Sequence, residues 1–125
     1  MDKLRILLVD DDKTFLEVMA PLIEVEGHKV KTASNGLEAV NLLEKESFDL
    51  VITDLKMPIS DGLTLLESVK FRNPDIRVII ITAYATVDKT IKAWREGVYE
   101  FLTKPFTWAD LKSIIQKVAS EKKGD

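Results

Sequence analysis

Three consecutive aspartates, Asp10, Asp11 and Asp12, close an apolar run in "ILLVDDDKTF". A further carboxylate, Asp54, ends a second such run in "VITDLKMPISDG", while the hydroxyl of Thr82 and the ammonium of Lys104 end two more, in "IIITAYA" and "FLTKPF". Carboxylates brought within a few ångströms of one another cannot all stay ionised without cost, because each raises the pKa of its neighbours. A divalent cation removes that cost. The chain has no cysteine, so thiolate ligands are excluded and the available oxygen donors select a hard cation. Mg²⁺ fits best, since it accepts one or two carboxylates and keeps several waters plus a phosphate oxygen. With an ammonium and a hydroxyl beside it, the set suits phosphoryl transfer to a carboxylate nucleophile, which requires mainly positioning and neutralisation of the equatorial oxygens and yields an acyl phosphate. Residue types alone leave open which aspartate attacks.

The elements that must bring these residues together are legible in the hydrophobic pattern. Strand-like runs lie at residues 4–9, 29–33, 50–53, 76–81 and 99–103, with helical patterns between them. The first, third and fourth are nearly continuous in Ile, Leu and Val, as expected of parallel strands covered on both faces. The alternation predicts a doubly wound α/β fold with right-handed crossovers. In such a sheet ligands bind beyond the carboxyl ends of the strands, which is where the polar residues stand. Phe15, Val18, Met19 and Leu22 give the first helix an apolar stripe, and Gly27 falls at its left-handed C-terminal cap. Val87, Ile91 and Trp94 repeat that spacing before Gly97; Leu111, Ile114, Ile115 and Val118 form the last stripe, opened by a Thr107–Asp110 capping box. Pro21 removes a backbone donor inside the first helix, at about 3 kcal/mol, and predicts a kink. Met57 and Pro58 shape the loop after Asp54, with Asp61-Gly62 as its turn.

Composition bounds the function. At 125 residues, 46% hydrophobic and 31% charged, the chain suits one domain, which we place at residues 1–121, with 122–125 a polar tail or the start of a linker. No apolar stretch approaches the roughly 18 residues of a membrane span, and the N-terminus is not a secretory signal, so a cytoplasmic protein without membrane contact is expected. A net charge of −3 argues against direct nucleic-acid binding, which needs a basic face.

In order and spacing, "ILLVDDD", "VITDLKMPISDG", "IIITAYA" and "FLTKPF" resemble the receiver domain of bacterial two-component response regulators over essentially the whole chain. The resemblance implies a flavodoxin-like (βα)₅ fold of strand order 2-1-3-4-5. It implies Asp54 as the phosphoacceptor, charged by the phosphohistidine of a sensor histidine kinase. It also implies Mg²⁺ held by Asp11, Asp54 and the Lys56 main-chain carbonyl, with Asp10 acting through a water. Lys104 would pair with the phosphoryl oxygens and Thr82 would hydrogen-bond to them, its movement linked to Phe101 as an aromatic switch. Asp12 would cap the first helix, and the Lys104-Pro105 bond resembles one that is cis in the family. Lys56 and Tyr84, two residues past Asp54 and Thr82, would tune the lifetime of the acyl phosphate. Residues 81–106 further resemble receivers that precede an AAA+ ATPase and a DNA-binding domain in nitrogen-regulation-class transcription activators. That implies a C-terminal output domain, a homodimer on phosphorylation, and an output surface that includes Trp94 and Tyr99. The competing expectation is that Trp94 is core.

Two rivals come from other classes. "DDDKT" also fits the DxDxT motif of haloacid-dehalogenase-like phosphatases, with Asp10 as nucleophile and Asp12 as general acid. That assignment leaves Asp54 without a role and the chain without room for the usual core and cap. A dinucleotide-binding site is weaker, because the aspartates stand where glycines and backbone amides should receive pyrophosphate. His28, the sole histidine, reads as a surface turn residue.

Overall fold

Ile6 to Val9, Leu50 to Ile52 and Val78 to Ile81 are almost wholly buried, as strands with a helix layer on each face must be. The computed structural model describes residues 3–57 and 61–123, so Pro58 lies outside the described residues. Five strands alternate with five helices: β1 (Arg5–Val9), α1 (Lys13–Val25), β2 (Lys29–Ala33), α2 (Gly36–Lys45), β3 (Leu50–Asp54), α3 (Gly62–Arg72), β4 (Arg77–Thr82), α4 (Val87–Arg95), β5 (Glu100–Thr103) and α5 (Trp108–Lys123). All strand pairs are parallel, in the order β2-β1-β3-β4-β5. This is the doubly wound fold expected from the hydrophobic pattern, in the flavodoxin-like order the resemblance implies, with strand ends displaced by no more than one residue. Helix α5 continues to Lys123, and among the described residues no helix is long and apolar enough to cross a membrane.

Strand alternation sorts the core into two layers. Ile6, Leu8, Leu50, Ile52, Ile79 and Ile81 pack with Leu16, Met19 and Ile23 of α1 and Leu111, Ile115 and Val118 of α5. Leu7, Val9, Val51, Val78 and Ile80 pack instead with residues of α2, α3 and α4. Each such side chain contributes about 1.5–3 kcal/mol relative to exposure. Continuing the count two residues at a time puts Asp10, Asp54 and Lys104 on the α1/α5 side, after Leu8, Ile52 and Leu102. Thr82, after Ile80, shares the α4 side with Phe101, which packs against that second layer.

Several local expectations hold. Asp12 caps α1 by accepting the Phe15 amide at 3.2 Å. Thr107 and Asp110 exchange side-chain-to-backbone bonds at 3.0 and 3.1 Å. Gly27 and Gly97 adopt positive φ after α1 and α4, and Lys104-Pro105 is cis.

Three expectations need correction. The buried stripe of α1 is Leu16, Met19 and Ile23; Val18 is 55% exposed and Leu22 also faces outward. So much of this helix is apolar that periodicity cannot choose its inner side, and the sheet decides. On α4 the core residue is Ala93, while Val87, Ile91 and Trp94 are exposed, Trp94 at 48%. Trp94 is therefore a surface residue. His28, expected on the surface, is only 5% exposed, and its Nδ1 accepts the Leu4 amide at 3.0 Å. The α1–β2 turn folds back on the start of β1, and the imidazole supplies the acceptor this amide requires. Helix α1 runs through Pro21 to Val25.

Candidate functional site

The carboxyl ends of β1 and β3 bring the acids together. Each of Asp10, Asp11 and Asp54 offers a carboxylate oxygen, and these oxygens lie within 4.8 Å of one another. Asp10 is almost fully buried, Asp54 half-buried and Asp11 exposed. Local backbone fixes two of the three. The Asp10 Oδ1 accepts the Asp12 amide at 2.9 Å, and the Asp54 Oδ1 accepts the Lys56 amide at 3.1 Å. Their other oxygens face Lys104, whose Nζ lies 3.5 Å from Asp10 Oδ2 and 3.3 Å from Asp54 Oδ2. Lys104 follows β5 on the same side of the sheet, so a residue 94 positions away in sequence completes the cluster. An open cleft of about 440 Å³ lies above it, lined by Asp10, Asp11, Asp12, Asp54, Lys56, Met57, Tyr84 and Lys104.

The electrostatics refine the picture of repelling acids. Burial is the main cause that pushes the Asp10 carboxyl up to about 6; the Asp54 charge adds a smaller push, and the Asp12 amide and Lys104 pull the other way. Desolvation, more than crowding, is what a cation here would relieve. Lys104 is affected first by its own burial, which favours the neutral amine, but Asp10 and Asp54 together outweigh it and raise its pKa.

Other sequence candidates sit around this centre. Thr82 is fully buried, does not line the cleft, and its Oγ1 accepts the Tyr84 amide at 3.0 Å. Phe101, partly buried, lies on the same side of the sheet. The Lys56 ammonium stands 4.4 Å from the centre of the Tyr84 ring, bridging the loops after β3 and β4 at the rim of the cleft. Asp61 caps α3 by accepting the Thr64 amide at 2.8 Å. Gly62 then donates to the Leu55 carbonyl at 2.8 Å, and a Cβ at Gly62 would run into the Asp54 and Leu55 backbone. Sequence reasoning saw that glycine only as a turn residue. It put Phe15 on the apolar stripe, and Phe15 does pack against the α1/α5-side core, but its ring centre also lies 4.9 Å from Lys104 Nζ, a contact the spacing did not show. A haloacid-dehalogenase-like arrangement would need Asp10 and Asp12 to act as a nucleophile–acid pair. Instead Asp10 accepts the amide of Asp12, whose own carboxylate is engaged in capping α1.

Known proteins agree with this geometry. Residues 6–116 match the model of the response regulator receiver domain. The chain is 34% identical over 116 residues to the transcriptional regulatory protein ZraR of Escherichia coli K12, covering 93% of this chain and 26% of ZraR. It thus spans about a quarter of the length of that curated relative. Among solved structures, the response regulator TrrA of Thermotoga maritima in complex with Mg²⁺-BeF superposes with a TM-score of 0.82 at 30% identity, covering 94% of this chain and 99% of TrrA. The beryllofluoride-activated NtrC4 receiver domain dimer gives a TM-score of 0.87 at 33% identity, covering 94% and 97%. With the receiver model matched across nearly its whole length, and the acidic cluster at the expected strand ends, this chain belongs to the response regulator receiver domain family, a signalling module rather than an enzyme.

Proposed function

We propose that Asp54 accepts a phosphoryl group from the phosphohistidine of a sensor histidine kinase. The observation that carries this is the convergence of three carboxylates with one ammonium that reaches two of them. The donor set is all oxygen, and the most buried acid is only partly neutralised by Lys104, so a hard divalent cation fits. Asp11, Asp54 and the Lys56 carbonyl would hold Mg²⁺, with Asp10 acting through a water. Its charge would screen the incoming phosphoryl oxygens from the carboxylates.

In the transfer, an Asp54 oxygen forms the new bond to phosphorus as the donor P–N bond breaks. The electron pair of that bond returns to the imidazole nitrogen, which takes up a proton. Lys104 Nζ leaves its carboxylate partners and donates to the phosphoryl oxygens. Thr82 gives up the Tyr84 amide and turns its hydroxyl toward the same oxygens, leaving space on the α4 side that Phe101 can enter. This coupling shifts the population of a second arrangement of α4 and β5. Lys56 and Tyr84, paired at the rim, control how readily water reaches the acyl phosphate.

The exposed Val87, Ile91 and Trp94 stripe provides a surface for dimerisation or output. By analogy with the transcriptional regulatory protein ZraR, the receiver serves a transcription regulator in the cytoplasm, and the resemblance of residues 81–106 to nitrogen-regulation-class receivers implies AAA+ and DNA-binding output domains beyond this segment. Residues 1–121 would be the receiver and 122–125 the start of the link to them.

Incubation with acetyl phosphate and Mg²⁺, followed by intact-mass measurement, tests the chemistry. A single added phosphoryl group is expected, absent with chelator and absent in Asp54→Asn. Equal labelling of Asp54→Asn would refute the assignment.

A further inference from the structure

Phe15 stands in the first turn of α1, where the bond from its amide to the Asp12 carboxylate fixes its backbone next to the aspartate run. Its ring meets that of Phe106 in an edge arrangement, centroids 6.3 Å apart and planes at 73°. Phe106 follows Lys104 by two residues, so this aromatic pair ties α1 to the loop that carries the ammonium. The ring centre of Phe15 is 4.9 Å from Lys104 Nζ, within the range of a cation–π contact.

The carboxylate contacts of Lys104, at 3.3 and 3.5 Å, are both longer than the roughly 2.7–2.9 Å of a tight charge-assisted bond. Neither acid holds it closely. When Asp10 and Asp54 turn their charge to a cation, that hold weakens further and the ammonium is left beside a like charge. The Phe15 ring differs from the acids here, because it attracts a cation without offering a ligand that a metal would take.

Resting on the phosphoacceptor function proposed above, we infer that Phe15 is a positioning residue that keeps the Lys104 ammonium over the site once the carboxylates are engaged, so that it is already in place for the phosphoryl oxygens. The role depends on the negative face of the ring, not on its bulk.

Progressively fluorinated phenylalanines in place of Phe15 drain that face while nearly preserving shape, and so separate the two. With acetyl phosphate and Mg²⁺, the rate of Asp54 phosphorylation should fall stepwise, roughly three- to tenfold across the series. In a Lys104→Met background the series should be flat. A flat series with Lys104 present, or the same slope in both backgrounds, would overturn the inference while leaving Asp54 as acceptor. A wild-type protein that takes no label would overturn both. A second readout needs no phosphorylation: in the metal-free protein the Lys104 ε-methylene NMR signals should be shifted upfield by the ring, and Phe15→Leu should abolish the shift. Unshifted signals in the wild type would contradict the contact itself.

Discussion

Asp10 links the site to the stability of the fold. Its carboxyl, pushed up mainly by burial to about 6 from an ordinary 3.8, binds a proton more tightly in the folded chain than in the unfolded one. Its contribution to stability is therefore complete below pH 3.8 and is lost as pH rises through about 6. Asp10→Asn keeps an oxygen for the Asp12 amide and removes the buried charge. In chelator at pH 8 it should raise the free energy of unfolding by about 1–2 kcal/mol, less than the full linkage because it also gives up the Lys104 contact. Denaturant titrations should show the gain shrinking toward pH 4; a gain that did not depend on pH would mean that ionisation of Asp10 is not its source. The same proton competes with a cation, so Mg²⁺ affinity should weaken as pH falls through about 6.

The elements set the tolerances within which those residues work. Gly62 opens α3 against the Asp54 and Leu55 backbone, 2.9 Å separating a would-be Cβ from the Leu55 Cα. Gly62→Ala must push α3 away from β3, at about 1–3 kcal/mol, and should slow phosphorylation by displacing Asp54. An alanine variant with unchanged melting temperature and labelling rate would show that the contact relaxes freely. At the opposite end of the sheet, His28 is held neutral, its pKa lowered by burial and only partly restored by Glu26. Its contribution to stability is present above the ordinary value of 6.5 and is lost as pH falls through its folded value, opposite in sign to Asp10. His28→Ala leaves the Leu4 amide without its acceptor and should cost about 1–3 kcal/mol at pH 8, read by denaturant melts, with the acid-side loss also removed. A melt unaltered at pH 8 would contradict the bond. Strand identity, sheet class and helix caps were legible in the sequence because runs of Ile, Leu and Val and caps such as Asp12 and Thr107 act locally. Helix facing was not: α1 and α4 carry apolar residues on more than one side, and only packing against the sheet selects Leu16 and Ala93 for the core. His28 was misread because its acceptor role depends on Leu4, 24 residues away.

For the whole molecule, the signalling consequence proposed above falls on the face that includes α4. An apolar stripe of Val87 at 75% exposure, Ile91 and Trp94 invites a partner, and NtrC4 forms a dimer when activated by beryllofluoride. Trp94→Glu should abolish beryllofluoride-dependent association in sedimentation while shifting stability by no more than about 0.5 kcal/mol. Undiminished association would place the interface elsewhere. The site residues were found in the sequence at the ends of apolar runs, yet their division between two sides of the sheet emerges only from counting alternate residues along paired strands. That division sets Lys104 on Asp10 and Asp54 and keeps Thr82 and Phe101 on the far side. The central claim is that this arrangement makes Asp54 the nucleophile, and mapping the covalent adduct tests it most directly. After acetyl phosphate and Mg²⁺, borohydride reduction and peptide mass spectrometry should find the modified residue at Asp54; modification at Asp10, or none, would contradict the account.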